Sequence, residues 1–167
     1  MATTHADAAL PFWARGLTLA SALIGFAERW LAPLLFLAIR LWMADIFFRS
    51  GLLKIRNPSG AIYLFTEVHP VPLLAPWLAA YLVTAVELVC PVLLVLGLAA
   101  RLAALPMLAM ALVIQFVIGA ADPAFHVTEH YYWMFLLGVI ITKGPGRLSL
   151  DHLLMRRLAR REPLDQH

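Results

Sequence analysis

Residues 34–54, LLFLAIRLWMADIFFRSGLLK, form an apolar run that also carries charged side chains. At about 1.5 Å of rise per residue, a helix of this length crosses the hydrocarbon core of a bilayer. Arg40, Asp45 and Arg49 lie inside the run, and Lys54 ends it. Because a charge costs on the order of 3 kcal/mol at the centre of a membrane helix, such side chains normally face a bundle interior or a watery cavity. We therefore expect this helix to pack against others through its polar residues.

The composition of the whole chain is that of a membrane protein. Hydrophobic residues make up 62% of the 167 residues, charged residues make up 14%, and the mean hydropathy is +0.82, outside the range of soluble domains. The net charge of +3 does not indicate nucleic-acid binding, because basic residues concentrate after the last apolar run. The single cysteine, Cys90, excludes an internal disulfide and a zinc ribbon.

Four apolar segments predict an all-α fold, a transmembrane four-helix bundle within residues 33–143. A proline-rich stretch breaks the chain after the first segment, and a short turn between the second and third makes those helices antiparallel neighbours. The predicted spans are about 34–54, 74–98, 102–119 and 126–142.

Both ends of the chain predict helices at the membrane surface. Residues 1–32 contain an apolar run at 17–26 that is too short to span, so we expect an additional amphipathic, interfacial helix, with a partly inserted fifth segment as the alternative. Residues 144–167 form a basic amphipathic tail, expected on the cytoplasmic face of the cell inner membrane. Four spans return the N-terminus to the cytoplasmic side as well.

Two charged residues of different spans are expected to meet inside the bundle. Counting the helical rise from the predicted span ends places Arg40 and Glu87 at about the same depth. Since either charge alone would be strongly unfavourable there, we predict a buried Arg40–Glu87 ion pair and a catalytic role for it. A purely structural ion pair is the alternative.

A polar pocket is expected in the half of the bundle farther from the tail. Asp45 and Arg49 are four residues apart on one helix and can pair with each other, at a depth close to that of Gln115. The predicted binding pocket therefore consists of Asp45, Arg49, Lys54 and Gln115.

A candidate metal site lies at the start of the fourth span. His126, Glu129 and His130 would share one helical face, and two histidines with a carboxylate can bind copper or zinc. They also match the short H-x-x-E-H pattern of inverted zinc peptidases. No third ligand follows from the spacing, so a hydrogen-bonded interfacial cluster is the alternative.

Three groups of residues occur in order along the chain: Arg40, Phe47, Gly51 and Lys54 in the first span, Glu87 followed by LLVLGLAAR at 93–101, and GPGRLSLDHLL at 144–154. Together they resemble the DoxX family of small four-helix membrane proteins, over about residues 34–154.

The resemblance implies a transmembrane bundle and a quinone-linked oxidoreductase subunit or redox accessory protein. The chain has no recognisable haem, flavin or iron–sulfur motif, so electrons would come from a partner subunit or a soluble redox partner. The alternative is a non-catalytic membrane partner or transport element of a copper-handling or modified-peptide system, and a third hypothesis is a scaffold. The membrane lipid is an expected partner, nucleic acid is not, and the bundle could form a homodimer.

Overall fold

The computed structural model describes residues 12–68 and 74–159, and within these ranges the regular elements are helices. Three π-helical turns, Ala27–Leu31, Leu64–Val68 and Val113–Ile118, interrupt or extend them. The α-helices are α1 (Phe12–Phe26), α2 (Ala32–Arg56), α3 (Pro58–Tyr63), α4 (Pro76–Leu96), α5 (Ala100–Leu112), α6 (Gly119–Ala121), α7 (Thr128–Lys143) and α8 (Leu150–Ala159).

Three continuous helices in the described ranges are long and apolar enough to cross a membrane: Gly16–Arg56, Pro76–Leu96 and Ala100–Ala121. An 18-residue stretch within each has a mean hydropathy of 1.8, 2.3 and 2.3, respectively. The remaining bundle helix, α7, has 16 residues and is therefore about 24 Å long. The predicted all-α membrane bundle is confirmed.

The bundle is held by helix pairs whose most extensive contacts join α2 to α4 and α5 to α7. Contacts of α4 with α5, and of α2 with α7, close it. Small residues let the backbones approach closely, since Ala44, Ala100, Ala103 and Ala104 are buried at the helix interfaces. Larger apolar side chains fill the centre between them: Met43, Phe47, Leu94, Met107, Leu137 and Ile140.

Proline and glycine mark the ends of α4. Pro76 occupies its first turn, where a missing N–H is tolerated. Gly97 ends it in the left-handed region at φ +65°, and the N–H of Leu98 bonds to the carbonyl of Leu93 at 3.0 Å. The chain therefore reverses directly into α5.

The N-terminal helix is continuous with the first span. Gly16–Arg56 is a single helix of 41 residues, about 60 Å long, in which the π-helical turn Ala27–Leu31 precedes Pro33. Large apolar side chains of α1, such as Leu17, Leu23 and Phe26, are exposed. That this segment lies on the membrane surface stays a prediction, and residues 1–11 lie outside the described residues.

The tail contains the amphipathic helix α8. Leu153, Leu154, Met155 and Leu158 are exposed on it, next to Arg156 and Arg157 in its last turn. The rest of the predicted basic tail, residues 160–167, lies outside the described residues.

Candidate functional site

Lys54, Glu87 and Ser50 form a hydrogen-bonded ion pair inside the bundle. Lys54 Nζ donates to Glu87 Oε1 and Oε2 at 2.8 and 2.7 Å, and to Ser50 Oγ at 2.9 Å. Ser50 Oγ donates in turn to Glu87 Oε1 at 3.1 Å. The Lys54 and Glu87 side chains are only 14% and 6% exposed. Because Glu87 lies near the midpoint of α4, the pair is about 15 Å from either end of that helix.

Gly51 allows α2 and α4 to come close enough for this contact. A Cβ at Gly51 would lie 2.9 Å from Leu88 Cγ and 3.0 Å from Glu87 Cβ, too close for most side chains. Glycine on α2, one turn before Lys54, therefore positions the carboxylate of α4 within reach of the ammonium group.

The predicted Arg40–Glu87 ion pair is wrong. Gly51 packs against Glu87, whereas Arg40 packs against Gly97, so in this antiparallel pair of helices the two charges lie about 15 Å apart along the axis. Counting depth from residue 34 fails because the helix has no end there. The depth of each α2 residue within the bundle is set by the α4 residue against which it packs.

An apolar cavity of about 210 Å³ opens beside Lys54, between α2, α3 and α4. Tyr81 and Ile55 at the cavity are 59% and 54% exposed, so it opens onto the outer surface of the bundle. The hydroxyl of Thr84 donates to its own helix, at 2.6 Å from the carbonyl of Ala80. The volume of this cavity exceeds the about 150 Å³ of a cavity that can hold a benzene molecule.

Arg40 is fully buried at the end of α4, away from Glu87. Its Nη1 donates to the carbonyl of Leu94 at 3.4 Å, its Nη2 donates to the carbonyl of Leu148, and its Nε has no hydrogen-bond partner in the described part of the chain. Gly97 provides the space for the guanidinium, since a Cβ there would overlap Nη1. These contacts join α2 to the segment that follows α7.

The motif GPGRLSLD closes the same end of the bundle. The carboxylate oxygens of Asp151 accept hydrogen bonds from the N–H groups of Ala99 and Ala100 at 2.8 and 3.2 Å, which caps the start of α5. Gly146 adopts φ +83°, and a Cβ on it would lie 2.9 Å from Phe36 Cβ. We call Arg40, Gly97 and residues 144–151 the clasp. Its contacts are those of a structural element that connects helix ends.

Gln115 and His130 form a second buried polar pair. Their side chains are 0% and 7% exposed, and His130 Nδ1 lies 2.8 Å from Gln115 Oε1. Since an amide oxygen can only accept, Nδ1 carries the proton, and in the neutral ring Nε2 is the acceptor. Gln115 lies in the π-helical turn Val113–Ile118, and its Nε2 has no hydrogen-bond partner within the described ranges. The His130 ring contacts Trp133, at 4.8 Å between centroids.

We expect His130→Leu to destabilise the protein by about 2 kcal/mol, because it leaves the buried amide of Gln115 without its partner. Gln115→Leu should destabilise it less, since it also removes the unpartnered Nε2. The double variant, in which both partners are apolar, should be close to the wild type. Thermal unfolding of the three variants in lipid nanodiscs measures this, and additive losses in the double variant would contradict it.

Asp45 and Arg49 pair as predicted but lie outside the bundle. Arg49 Nε is 2.8 Å from Asp45 Oδ1, and the side chains of Arg49 and Asp45 are 75% and 54% exposed. The predicted single pocket is therefore wrong: Lys54 turns to Glu87, and Gln115 turns to His130. The helical period of 3.6 residues places Asp45 and Arg49 on the opposite side of α2 from Gly51 and Lys54. Because Gly51 and Lys54 contact α4, the side that carries Asp45 and Arg49 is the outer side.

The predicted grouping of His126, Glu129 and His130 on one helical face is also wrong. Helix α7 begins only at Thr128, so His126 precedes it and the helical spacing does not apply. His126 Nε2 lies 3.4 Å from Tyr131 Oη, whereas His130 points inward. Among residues 12–68 and 74–159, no group of three or more His, Cys, Asp or Glu residues could hold a metal ion. Binding of copper or zinc stays a prediction.

Sequence reasoning missed the role of Ser50 and the partner of Glu87. The signal was present, since Ser50 and Lys54 are four residues apart and Gly51 adjoins them on the stripe of α2 that also carries Phe47. Asp151 was missed because a cap between distant segments depends on how the tail folds back.

In a comparison with protein families, the DoxX family model matches residues 35–120. The matched region contains Lys54, Glu87, Ser50 and Gln115, and it ends before His130 and the GPGRLSLD motif. No similar chain was found among curated proteins or solved structures. Since the match covers more than half of the 167 residues and three helices are long and apolar enough to span, this chain is an integral membrane protein of the DoxX family.

Proposed function

We propose that the protein is a quinone-linked membrane oxidoreductase subunit that binds a quinone head group in the cavity beside Lys54. The supporting observation is a buried ion pair, midway along the bundle, that borders an apolar cavity open to the lipid side. Ionisable residues at this depth are rare and commonly mark functional sites. Quinones partition into the same hydrocarbon region, so the ligand would reach the cavity from the membrane.

Lys54 and Glu87 have the chemistry that a quinone requires. A quinone carbonyl oxygen is an acceptor, and Lys54, whose ammonium group is a donor, lines the cavity. Two of its contacts go to Glu87 and one to the neutral Ser50 Oγ. Because the contact with the neutral hydroxyl is weaker than those with the carboxylate, it is the one that a quinone oxygen would replace. Glu87 stays close enough to accept a proton from the reduced form.

Reduction of a quinone to a quinol consumes two electrons and two protons. With one cysteine, the chain has no dithiol of its own, and we propose that a partner subunit or a soluble redox partner supplies the electrons. Residues of this chain would hold the ring, exclude water and exchange protons through Lys54 and Glu87. The apolar tail of the quinone would lie against the exposed surface at Ile55 and Tyr81.

The proposal is tested by titrating the purified full-length protein in nanodiscs with decylubiquinone. Loss of a charge-assisted hydrogen bond in Lys54→Met should weaken binding about tenfold or more. Arg56→Met removes an exposed charge from the same helix end and is the matched control, expected to bind like the wild type. Thr84→Leu should weaken binding by narrowing the cavity while the ion pair remains. Absent binding in the wild type, or equal binding in all four proteins, would refute the proposal.

We also propose that the protein lies in the cell inner membrane with both termini in the cytoplasm. Lys143 and Arg147 follow the last bundle helix, and Arg156 and Arg157 follow on α8. Positive residues next to membrane helices favour the cytoplasmic side. Labelling of cysteines introduced at the two ends of the chain, in intact cells and in inverted vesicles, distinguishes the orientations.

A further inference from the structure

Asp45 and Arg49 lie on the outer surface of α2 at a depth where lipid chains would surround them. The α4 helix has 21 residues and is about 31 Å long, which matches the hydrocarbon core of a bilayer. Arg40 packs at its Gly97 end, so Asp45 and Arg49 lie about 8 and 14 Å inward from that end. Arg49 is therefore close to the middle of the membrane.

An ion pair at this position needs protein around it. Long basic side chains reach the membrane surface only from positions near the ends of helices, and Arg49 is too deep for that. In a single copy of the chain, the side chains of Arg49 and Asp45 are 75% and 54% exposed. Charged groups within membranes face protein or water-filled cavities, so we infer that another polypeptide covers this surface.

The surface beside the pair has the shape of an interface. A groove of about 320 Å³ runs between α2 and α4, and Asp45 forms part of its wall. Its other walls are apolar, and Ala44 and Pro91 at its floor leave room for large side chains of an opposing helix. Leu41 and Phe48 flank the groove on α2 and are 45% and 37% exposed.

We propose that a second copy of this chain covers the groove, in a parallel dimer whose two-fold axis runs along the membrane normal. The pair is neutral and self-complementary, since each copy presents one acid and one base a helical turn apart. A two-fold axis through this face brings Asp45 of each copy towards Arg49 of the other. Two-fold dimers are the commonest symmetric assemblies, and their interfaces are self-complementary in this way.

Unused hydrogen-bonding capacity supports the same arrangement. Arg49 contacts Asp45 through Nε, and its Nη groups make no hydrogen bond with the residues that the structure describes. In the dimer these groups would donate to Asp45 of the second copy, which completes an ionic network of four side chains. A different partner would have to present an acid and a base in matching order, whereas a second copy supplies both.

Cysteine cross-linking in native membranes tests the dimer, with Cys90→Ala as the background. Leu41→Cys, in the groove, should form a disulfide-linked dimer on mild oxidation. Leu105→Cys is the matched control, because Leu105 is 48% exposed, close to the 45% of Leu41, and lies on α5, outside the groove. It should stay monomeric.

Charge exchange between copies tests the ionic network itself. In the Leu41→Cys background, Asp45→Arg makes the face entirely basic and Arg49→Asp makes it entirely acidic. Each variant alone should lower the cross-linked fraction about tenfold or more, which corresponds to about 1.4 kcal/mol or more of association free energy. Co-expression of the two variants with different tags should restore cross-linking between the unlike chains. Because misfolded chains would not be rescued in this way, the restoration is specific for contact between copies.

Three outcomes would overturn the proposal. They are cross-linking of Leu41→Cys that charge reversal does not reduce, cross-linking of Leu105→Cys to the same extent as Leu41→Cys, and cross-linking of Leu41→Cys to another membrane protein. The groove and the cavity beside Lys54 share no lining residue. The result is therefore independent of the proposed quinone site.

Discussion

Replacing Lys54 by methionine should destabilise the protein by about 4 kcal/mol, because it leaves the carboxylate of Glu87 buried with only Ser50 as a partner. Glu87→Leu should destabilise it by a similar amount, since it leaves the ammonium group buried. Reversible unfolding in mixed micelles, followed by circular dichroism, measures both. Arg56→Met is the matched control, with a change within about 0.5 kcal/mol expected for an exposed residue.

The double variant Lys54→Met/Glu87→Leu distinguishes a structural from a functional reason for the pair. A buried ion pair replaced by apolar residues of similar volume is often as stable as the original or more stable. We therefore expect the double variant to recover most of the stability and to lose quinone binding. A double variant that is as unstable as the sum of the single ones would show that the pair is required for folding itself.

Gly97→Ala should destabilise the protein by about 3 kcal/mol, because it disrupts the packing of the clasp. Its φ of +65° disfavours a residue with a Cβ by about 1–2 kcal/mol. The new methyl group would also overlap Arg40 Nη1 and lie 2.5 Å from Ser149 Cβ, and such overpacking costs about 1–3 kcal/mol. The expected consequence is release of the segment after α7 from the end of α4, seen as increased proteolysis near residues 144–151.

Gly138→Ala is the matched control for this substitution. A Cβ at Gly138 meets nothing within 4 Å, and the residue lies within α7, where alanine is favoured over glycine by about 1 kcal/mol. The variant should therefore be as stable as the wild type or slightly more stable. Equal losses of stability at Gly97 and Gly138 would contradict the assigned role of the clasp.

The helical segments could be predicted from the apolar runs and from the proline and glycine residues that end them. Pro76 and Gly97 set the limits of α4, two residues from each predicted end, because a missing N–H and a positive φ are local properties. The first helix was harder to delimit. Pro33 lies in the first turn of α2, directly after a π-helical turn, and the helix continues through it.

Only some of the polar contacts of the site could be predicted from the sequence. Asp45 and Arg49 pair within one helix, and their spacing was sufficient to predict it. The sequence predicts a basic partner for Glu87, and depth counted from residue 34 favours Arg40, whereas the partner is Lys54. Both lie on the same stripe of α2, so the helical period alone could not distinguish between them.

The sequence alone determined that this chain is a helical membrane protein with charges that must be buried or covered, because length, hydropathy and helical period are properties of each segment. Tertiary structure alone decided which charges of different helices meet. The register of α2 against α4, set by Gly51 against Glu87 and by Arg40 against Gly97, pairs Lys54 with Glu87 and leaves Asp45 and Arg49 outside. Register depends on side-chain packing between segments that are distant in the sequence, and a slip of two or three turns would pair different residues without altering any helix.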